Sequence, residues 1–330
     1  MLSSNDQRDL LAWYDEHQRD LPWRQTRDPW AILLSEILLQ QTQVSRGRVY
    51  WQRMVGVFPT IESMATSQVD AVLKAWEGAG YYSRARRLHA LSQLVVLPSD
   101  QGGFDGKLPE SYDHLLSLPG IGPYTAAAVA SIAFGQPVAC VDGNIRRVMA
   151  RHTAQPDPSP KAVQTWADSA LTHERPGDWN QALMELGATV CTPKRVICES
   201  CPLHSTCRGT EPERFPTPRK RRVKAVSLYT VVEFAADGHP VLHQRPLSGM
   251  FAGLWGPTYH EGEVPSSEPD WLPCGTVEHL LSHRRMTVHV FLKTDGGPVH
   301  GTPPSEVPLS SLDEKVLSIA STCLPIQPEG

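Results

Sequence analysis

Four cysteines fall within a short stretch, Cys191, Cys198, Cys201 and Cys207, in the spacing C-x6-C-x2-C-x5-C. A structural zinc site usually shows two C-x2-4-C knuckles separated by a longer run, and here only Cys198 and Cys201 form a knuckle. Four thiolates in one tight loop suit a cubane 4Fe–4S cluster, in which each iron takes one sulfur, with zinc as the alternative. Disulfides suit the pattern less, because such clustering in a reducing compartment points to metal. The remaining cysteines, Cys140, Cys274 and Cys323, stand alone in sequence and read as core or surface thiols.

Two carboxylates also stand in unusual surroundings. Glu36 sits in Pro29–Thr42, where apolar residues occupy nearly every face of a helix. A carboxyl group there has a raised pKa, the property of a general acid near neutral pH; the plainer reading is a partly exposed helix glutamate. Asp142 precedes Gly143-Asn144 and reads first as a turn or N-cap for a helix carrying Arg146 and Arg147. A capped aspartate can also stay ionised and face a developing cation. Two carboxyl groups with opposite protonation states form the working pair of glycosidic bond cleavage. Between them, Leu118-Pro119-Gly120-Ile121-Gly122 joins two short helical patterns. Its backbone N–H groups and the following helix N-terminus offer a seat for a DNA phosphate, unless the turn is an ordinary glycine-capped helical hairpin.

These groups need elements to position them. A chain of 330 residues, 40% hydrophobic and 20% charged, suggests about two packed domains and excludes global disorder. The net charge of −4 excludes a uniformly basic nucleic-acid coat but not a local patch. Between Pro193 and Lys224 there are nine Lys/Arg against three Glu, a solvated linker in composition that could also follow phosphates. No apolar run is long enough for a membrane-spanning helix, and the polar N-terminus suggests a cytoplasmic protein. Helical segments are expected at Asp6–Gln18, Pro29–Thr42, Val69–Gly78, Ser83–Val96, Tyr112–Leu118, Thr125–Phe134, Pro160–His173 and Asn180–Cys191. A Pro-rich basic linker follows at 211–225. Beyond it, Ser227–Phe234 with a hairpin partner at Val241–Gln244, and Met286–Lys293, read as strands. Segregated helices and strands argue against a doubly wound fold.

Taken together, the hairpin, Val141-Asp142-Gly143-Asn144 and the cysteine loop resemble the endonuclease III superfamily of base-excision DNA glycosylases. Leu21-Pro22-Trp23-Arg24, Ser35–Val44 and Gly78–Arg86 are similar to segments of its MutY-type adenine glycosylases. The resemblance implies a multidomain protein. An all-α helix-hairpin-helix glycosylase domain would span 1–210. Within it, a six-helix barrel module would lie at about 29–135, and a 4Fe–4S module would combine the N-terminal helix with 136–210. A Nudix-like α+β domain would follow at 226–330.

The resemblance also implies roles. Glu36 would protonate adenine N7 and later handle the proton of the attacking water, while Asp142 would stabilise the oxocarbenium character at the sugar. Tyr124 and Asn144 would complete the catalytic group. Lyase-active relatives carry a lysine where this chain has Tyr124, which implies a monofunctional glycosylase. Trp23, Arg24 and Gln181 match the adenine pocket, and Gln41 and Tyr81 match residues wedged into the base stack. Thr42, Gly120 and Gly122 would contact DNA, and Ser282 and His283 would contact 8-oxoguanine; Leu281 stands where the family usually has an aromatic residue. Cys191, Cys198, Cys201 and Cys207 would hold the 4Fe–4S cluster. The Glu-rich metal box of true Nudix hydrolases is absent from the C-terminal region. The expected partner is double-stranded DNA carrying adenine opposite 8-oxoguanine or guanine, bound by a monomer.

Overall fold

A computed structural model describes residues 2–40, 42–217, 223–262, 264, 270–295 and 297–324. The chain divides into two compact units, Met1–Thr66 with Arg87–Arg219, and Ser67–Arg86 with Lys220–Gly330.

The first unit is helical. Ser3 and Asp6 form a reciprocal capping box at the start of α1 (Ser4–His17). α2 (Pro29–Leu38) begins with Pro29 at its first position and Asp28 as N-cap, accepting from the backbone N–H of Trp30 and Ala31. Every residue from Trp30 to Leu38 is buried. The indole N–H of Trp30 donates to Phe58 O and that of Trp51 to Ala31 O, which fixes α2 against α3 (Val44–Val57). α4 (Ile61–Ala65) closes this part, while α5 (Val69–Ala75) lies in the second unit. α6 (Ser83–Val96) runs across the division. The hairpin follows as α7 (Tyr112–Ser117) and α8 (Pro123–Phe134), then α9 (Gly143–His152), α10 (Pro160–Ala170) and α11 (Pro176–Thr189). α2 packs on α8, and α11 packs on α1, α8 and α9.

Buried Asn180 on α11 holds the segment that leads into α9. Its amide N donates to Ser131 Oγ and Val138 O, each at 2.9 Å, and its Oδ1 accepts from Cys140 N at 3.2 Å. Sequence periodicity did not pick out α3, whose exposed arginines blur the apolar stripe. It also carried the α2 pattern to Thr42, four residues beyond the helix.

The second unit is built on a four-stranded sheet in the order β4-β1-β6-β5. β1 (Lys224–Val232) leads to a two-stranded pair, β2 (His243–Gln244) and β3 (Trp255–Gly256). β4 (Tyr259–Glu261), β5 (Trp271–Leu280), β6 (Arg284–Lys293) and α12 (Ser311–Thr322) complete it. β1 runs parallel to β6 in the register Lys224↔Arg284 to Val232↔Leu292, and β5–β6 is an antiparallel hairpin. α12 packs on β5 and β6 over an apolar core that includes Met286, Val288, Val290, Leu312 and Val316. The strand expected to pair with β1 from Val241 to Gln244 makes only the first steps of that hairpin, Phe234↔Pro240 and Val241 N to Glu233 O. His243 and Gln244 instead pair with β3, because β1 takes β6 and β4 as its ladder partners. β5 carried no clean sequence signal, since Pro273 and Gly275 bracket a register shift.

Replacing Asn180 by alanine leaves Val138 O and Cys140 N without their partner inside the helical unit. The expected loss of folding stability is about 2–3 kcal/mol in urea unfolding at unchanged m-value. A change inside ~0.5 kcal/mol would show that these bonds are dispensable.

Candidate active site

One cavity of about 730 Å³ in the helical unit brings together Trp23, Arg24, Glu36, Thr42, Gly120, Gly122, Tyr124, Asp142, Asn144 and Gln181. Gln41 lies outside the described residues. Glu36 reaches the cavity from α2, and the Tyr124 hydroxyl on α8 donates to its Oε2 at 2.7 Å. Met184 Sδ lies 3.2 Å from the same hydroxyl. Burial pushes the Glu36 carboxyl up to about 7; the Tyr124 bond and the Arg24 charge oppose that rise, and the Asp142 charge adds to it.

Asp142 is the N-cap of α9, its Oδ1 accepting from Ile145 N at 2.7 Å. Its Oδ2 accepts from Asn144 Nδ2, also at 2.7 Å. Burial raises its pKa, against the pull of those donors and of Arg147. Capping and presentation to the cavity are therefore done by the same carboxyl group.

The two hairpin glycines differ. Gly120 has φ +79, and a Cβ there would lie 2.7 Å from Arg87 Cβ, so both its conformation and its packing require glycine. A Cβ on Gly122 would meet nothing within 4 Å, which leaves the backbone at the start of α8 open to approach.

Arg24 borders the cavity, but its guanidinium is engaged with buried Glu185 at 2.8 Å. Arg19 pairs with the same carboxylate at 2.7 Å and 2.8 Å. These hydrogen bonds and charges outweigh burial and hold Glu185 down at about 2. Neither Arg19 nor Glu185 stood out in the sequence, because their pairing spans more than 160 positions. Arg147 was likewise missed as a linker: it donates to Asn144 Oδ1 at 2.8 Å and to Cys191 O at 2.8 Å. Arg151 donates to Cys191 O and lies 3.3 Å from Cys191 Sγ.

All four cysteines of the loop are free thiols, half-buried. Burial pushes the Cys201 thiol up to about 12, and Cys191, Cys207 and Cys198 each add to that shift, so the sulfurs lie within electrostatic reach of one another. Among the described residues, no three Cys, His, Asp or Glu side chains converge on a site for a single ion.

The other expected site residues belong to the second unit. Tyr81 is exposed at a left-handed φ of 49. Ser282 and His283 form the exposed turn of the β5–β6 hairpin, with Ser282 Oγ 3.2 Å from His283 Nδ1. Leu281 packs partly into the sheet core, and the preceding Leu280 is 65% exposed.

Residues 34–171 match the model of the HhH-GPD superfamily base excision DNA repair proteins. The human adenine DNA glycosylase is 45% identical over an alignment covering 89% of this chain and 68% of that protein. The rat adenine DNA glycosylase is 36% identical, covering 86% and 69%. This chain belongs to the adenine DNA glycosylases. The enzyme is a monofunctional adenine DNA N-glycosylase, a hydrolase of base excision repair. The adenine DNA glycosylase of Mycolicibacterium smegmatis, at 43% identity, covers 61% of this glycosylase and 68% of its own length. Among solved structures, a thermostable thymine-DNA glycosylase superposes with TM-score 0.56 at 30% identity, over 62% of this chain and 94% of that one. A non-covalent endonuclease III–DNA complex shares the fold at 24% identity, with TM-score 0.53 over 63% and 97%. No helix among the described residues of the glycosylase is long and apolar enough to cross a membrane.

The Glu185 carboxyl has a folded pKa below its unfolded value, so its contribution to stability is present above about 4.5 and is lost as pH falls toward about 2. Urea unfolding across that range should lose about 2 kcal/mol more in the wild type than in Glu185→Gln. Parallel curves for the two proteins would mean that the Arg19–Glu185–Arg24 cluster does not set acid stability.

Proposed function

We propose that the cavity takes an adenine flipped from opposite 8-oxoguanine or guanine and hydrolyses its glycosidic bond with Glu36 and Asp142. The observation that carries this is a cavity where, beside the arginine-paired Glu185, two carboxyl groups stand in unlike settings: Glu36 pushed to about 7 by burial, and Asp142 accepting two hydrogen bonds. Protonated Glu36 gives its proton to adenine N7, which makes the base a neutral leaving group as the C1′–N9 bond breaks. The sugar left behind has oxocarbenium character, and the Asp142 carboxylate stabilises that positive charge. A water attacks C1′ and passes its proton to the Glu36 carboxylate, which restores the acid. Tyr124 orients Glu36 through its 2.7 Å hydrogen bond. No lysine lines the cavity among the described residues, in keeping with hydrolysis rather than Schiff-base chemistry. Trp23, Arg24 and Gln181 border the base, Thr42, Gly120 and Gly122 contact the DNA, and Gln41 and Tyr81 wedge the stack. Ser282 and His283 read the opposite base from a Nudix-like second domain.

Cys191, Cys198, Cys201 and Cys207 fit a 4Fe–4S cluster. Four free, electrostatically coupled thiols lie in one loop, and Arg147 and Arg151 bring positive charge to Cys191. When bound, the cluster supplies covalent order to a loop that otherwise has little regular structure. Purified protein should be brown and contain about four irons per chain, and Cys198→Ser should lose iron and DNA affinity together. Stoichiometric zinc without iron or sulfide in anaerobically prepared protein would refute the assignment.

The direct test of the reaction is single-turnover adenine release from duplexes with adenine opposite 8-oxoguanine, guanine or thymine. Glu36→Gln should bind the mismatch yet excise roughly 100- to 10,000-fold more slowly, with Asp142→Asn also severely slowed. The wild-type rate should fall as pH rises above about 7, because the acid form of Glu36 is lost. Tyr124→Phe removes a hydrogen bond that favours the ionised form, so its alkaline limb should move to higher pH. Wild-type excision by Glu36→Gln, or an alkaline limb that Tyr124→Phe leaves in place, would show these roles to be misassigned.

A further inference from the structure

The strained segment of the second unit points to a coupling between its two DNA-reading elements. Tyr81 is one of four described non-glycine residues with positive φ, and it sits between Gly80 (φ 72) and buried Tyr82. Left-handed backbone at a tyrosine persists only where its surroundings over-determine it. Here they do. The Trp76 indole N–H donates to Gly80 O at 2.9 Å, Gly78 N donates to the Tyr82 hydroxyl at 3.3 Å, and the Arg84 guanidinium lies 5.2 Å over the Tyr81 ring.

That scaffold is clipped to one residue at the foot of α12. The Tyr82 hydroxyl donates to Leu309 O at 2.9 Å, and Glu77 Oε1 accepts from Leu309 N at 2.9 Å. Both backbone polar groups of Leu309 are thus used by the segment bearing Tyr81. Leu309 in turn bridges Trp255 and directly precedes Ser310, the N-cap of α12. α12 packs on β5 and β6, whose connecting turn holds Ser282 and His283. The turn itself is tied down, with Leu281 N donating to Arg284 O at 2.8 Å and Lys224 N donating to His283 O at 3.0 Å. Every link in this chain lies within one compact unit.

We propose that Tyr81 and the Ser282–His283 turn act as a single reading head, joined through Leu309, with Glu77 and Tyr82 as positioning residues that set the wedge when the opposite base is engaged. This inference rests on the wedge and reading roles proposed above. It gives the opposite base a route to excision specificity: contacts at Ser282 and His283 stabilise the placement of Tyr81 in the stack.

The test is a double-mutant cycle on the full-length protein, using single-turnover excision and binding for adenine opposite 8-oxoguanine and opposite guanine at one salt concentration. Tyr82→Phe removes the clip hydroxyl and keeps the ring. It should lower the 8-oxoguanine-over-guanine preference by about 2- to 10-fold, the worth of one hydrogen bond. In a Ser282→Ala/His283→Ala background it should lower that preference no further. Glu77→Gln, which replaces the charged acceptor of the Leu309 N–H with a neutral one, is read in the same way and keeps the test open should Tyr82→Phe fold poorly. An unchanged preference in both variants, or the same loss in both backgrounds, overturns the coupling alone. A wild-type preference in Ser282→Ala/His283→Ala overturns the reading role of the turn, and the coupling with it.

Discussion

A buried glutamate, Glu36, with no salt bridge among the described residues is the constraint around which the helical unit is arranged. Ionising a carboxyl group out of water is costly, and the cost appears as a raised pKa unless cations or donors offset it. Burial of Glu36 outweighs the Tyr124 hydroxyl hydrogen bond and the Arg24 charge, so its carboxyl rises to about 7. Glu185 borders the same cavity and is also fully buried, yet two arginines hold it near 2. The contrast shows what the fold controls. Arg24 is engaged by Glu185 at 2.8 Å, and Glu36 keeps the proton that its burial favours.

Keeping Glu36 in this state requires α2 to stay sealed. Pro29 and the Asp28 cap define its start, Trp30 and Trp51 pin it to its neighbours, and α8 covers it while presenting Tyr124. The second carboxyl is placed by different means. Asp142 is fixed as a helix cap, its Oδ2 is held by Asn144, and Asn144 is held by Arg147, which also reaches the carbonyl of Cys191. Close packing makes this possible, since a Cβ on Gly187 would lie 2.6 Å from Asn144 Cβ. The Asp142 carboxyl and the cysteine loop therefore share one arginine.

How much of this was legible in the sequence depended on the range of the interaction. Glu36 could be read because a lone acid in a helix apolar on every face has no polar stripe to occupy. Asp142 could be read because Asp-Gly-Asn is a local capping signal. The hairpin glycines and the cysteine loop also carried local spacing, and family resemblance joined them into one enzyme. Asn180, Arg19 and Glu185 could not be read, because their meaning lies in partners tens to hundreds of positions away. α3 was lost where arginines interrupt its apolar face, and β5 where Pro273 and Gly275 break the alternation. The left-handed backbone of Tyr81 had no signal either, since its glycine neighbours announce a turn but not which residue bears the strain.

The claim on which the mechanism turns is that Glu36 is half protonated near neutral pH in the folded enzyme before DNA binds. Carbon-13 NMR of protein labelled at the glutamate carboxyl carbons, with Glu36→Gln to assign the resonance, measures this directly. Burial of Glu36 predicts a titration with its midpoint near 7. A midpoint near the ordinary glutamate value of about 4.3 would contradict it, because Glu36 would then be ionised at neutral pH and could not serve as the acid.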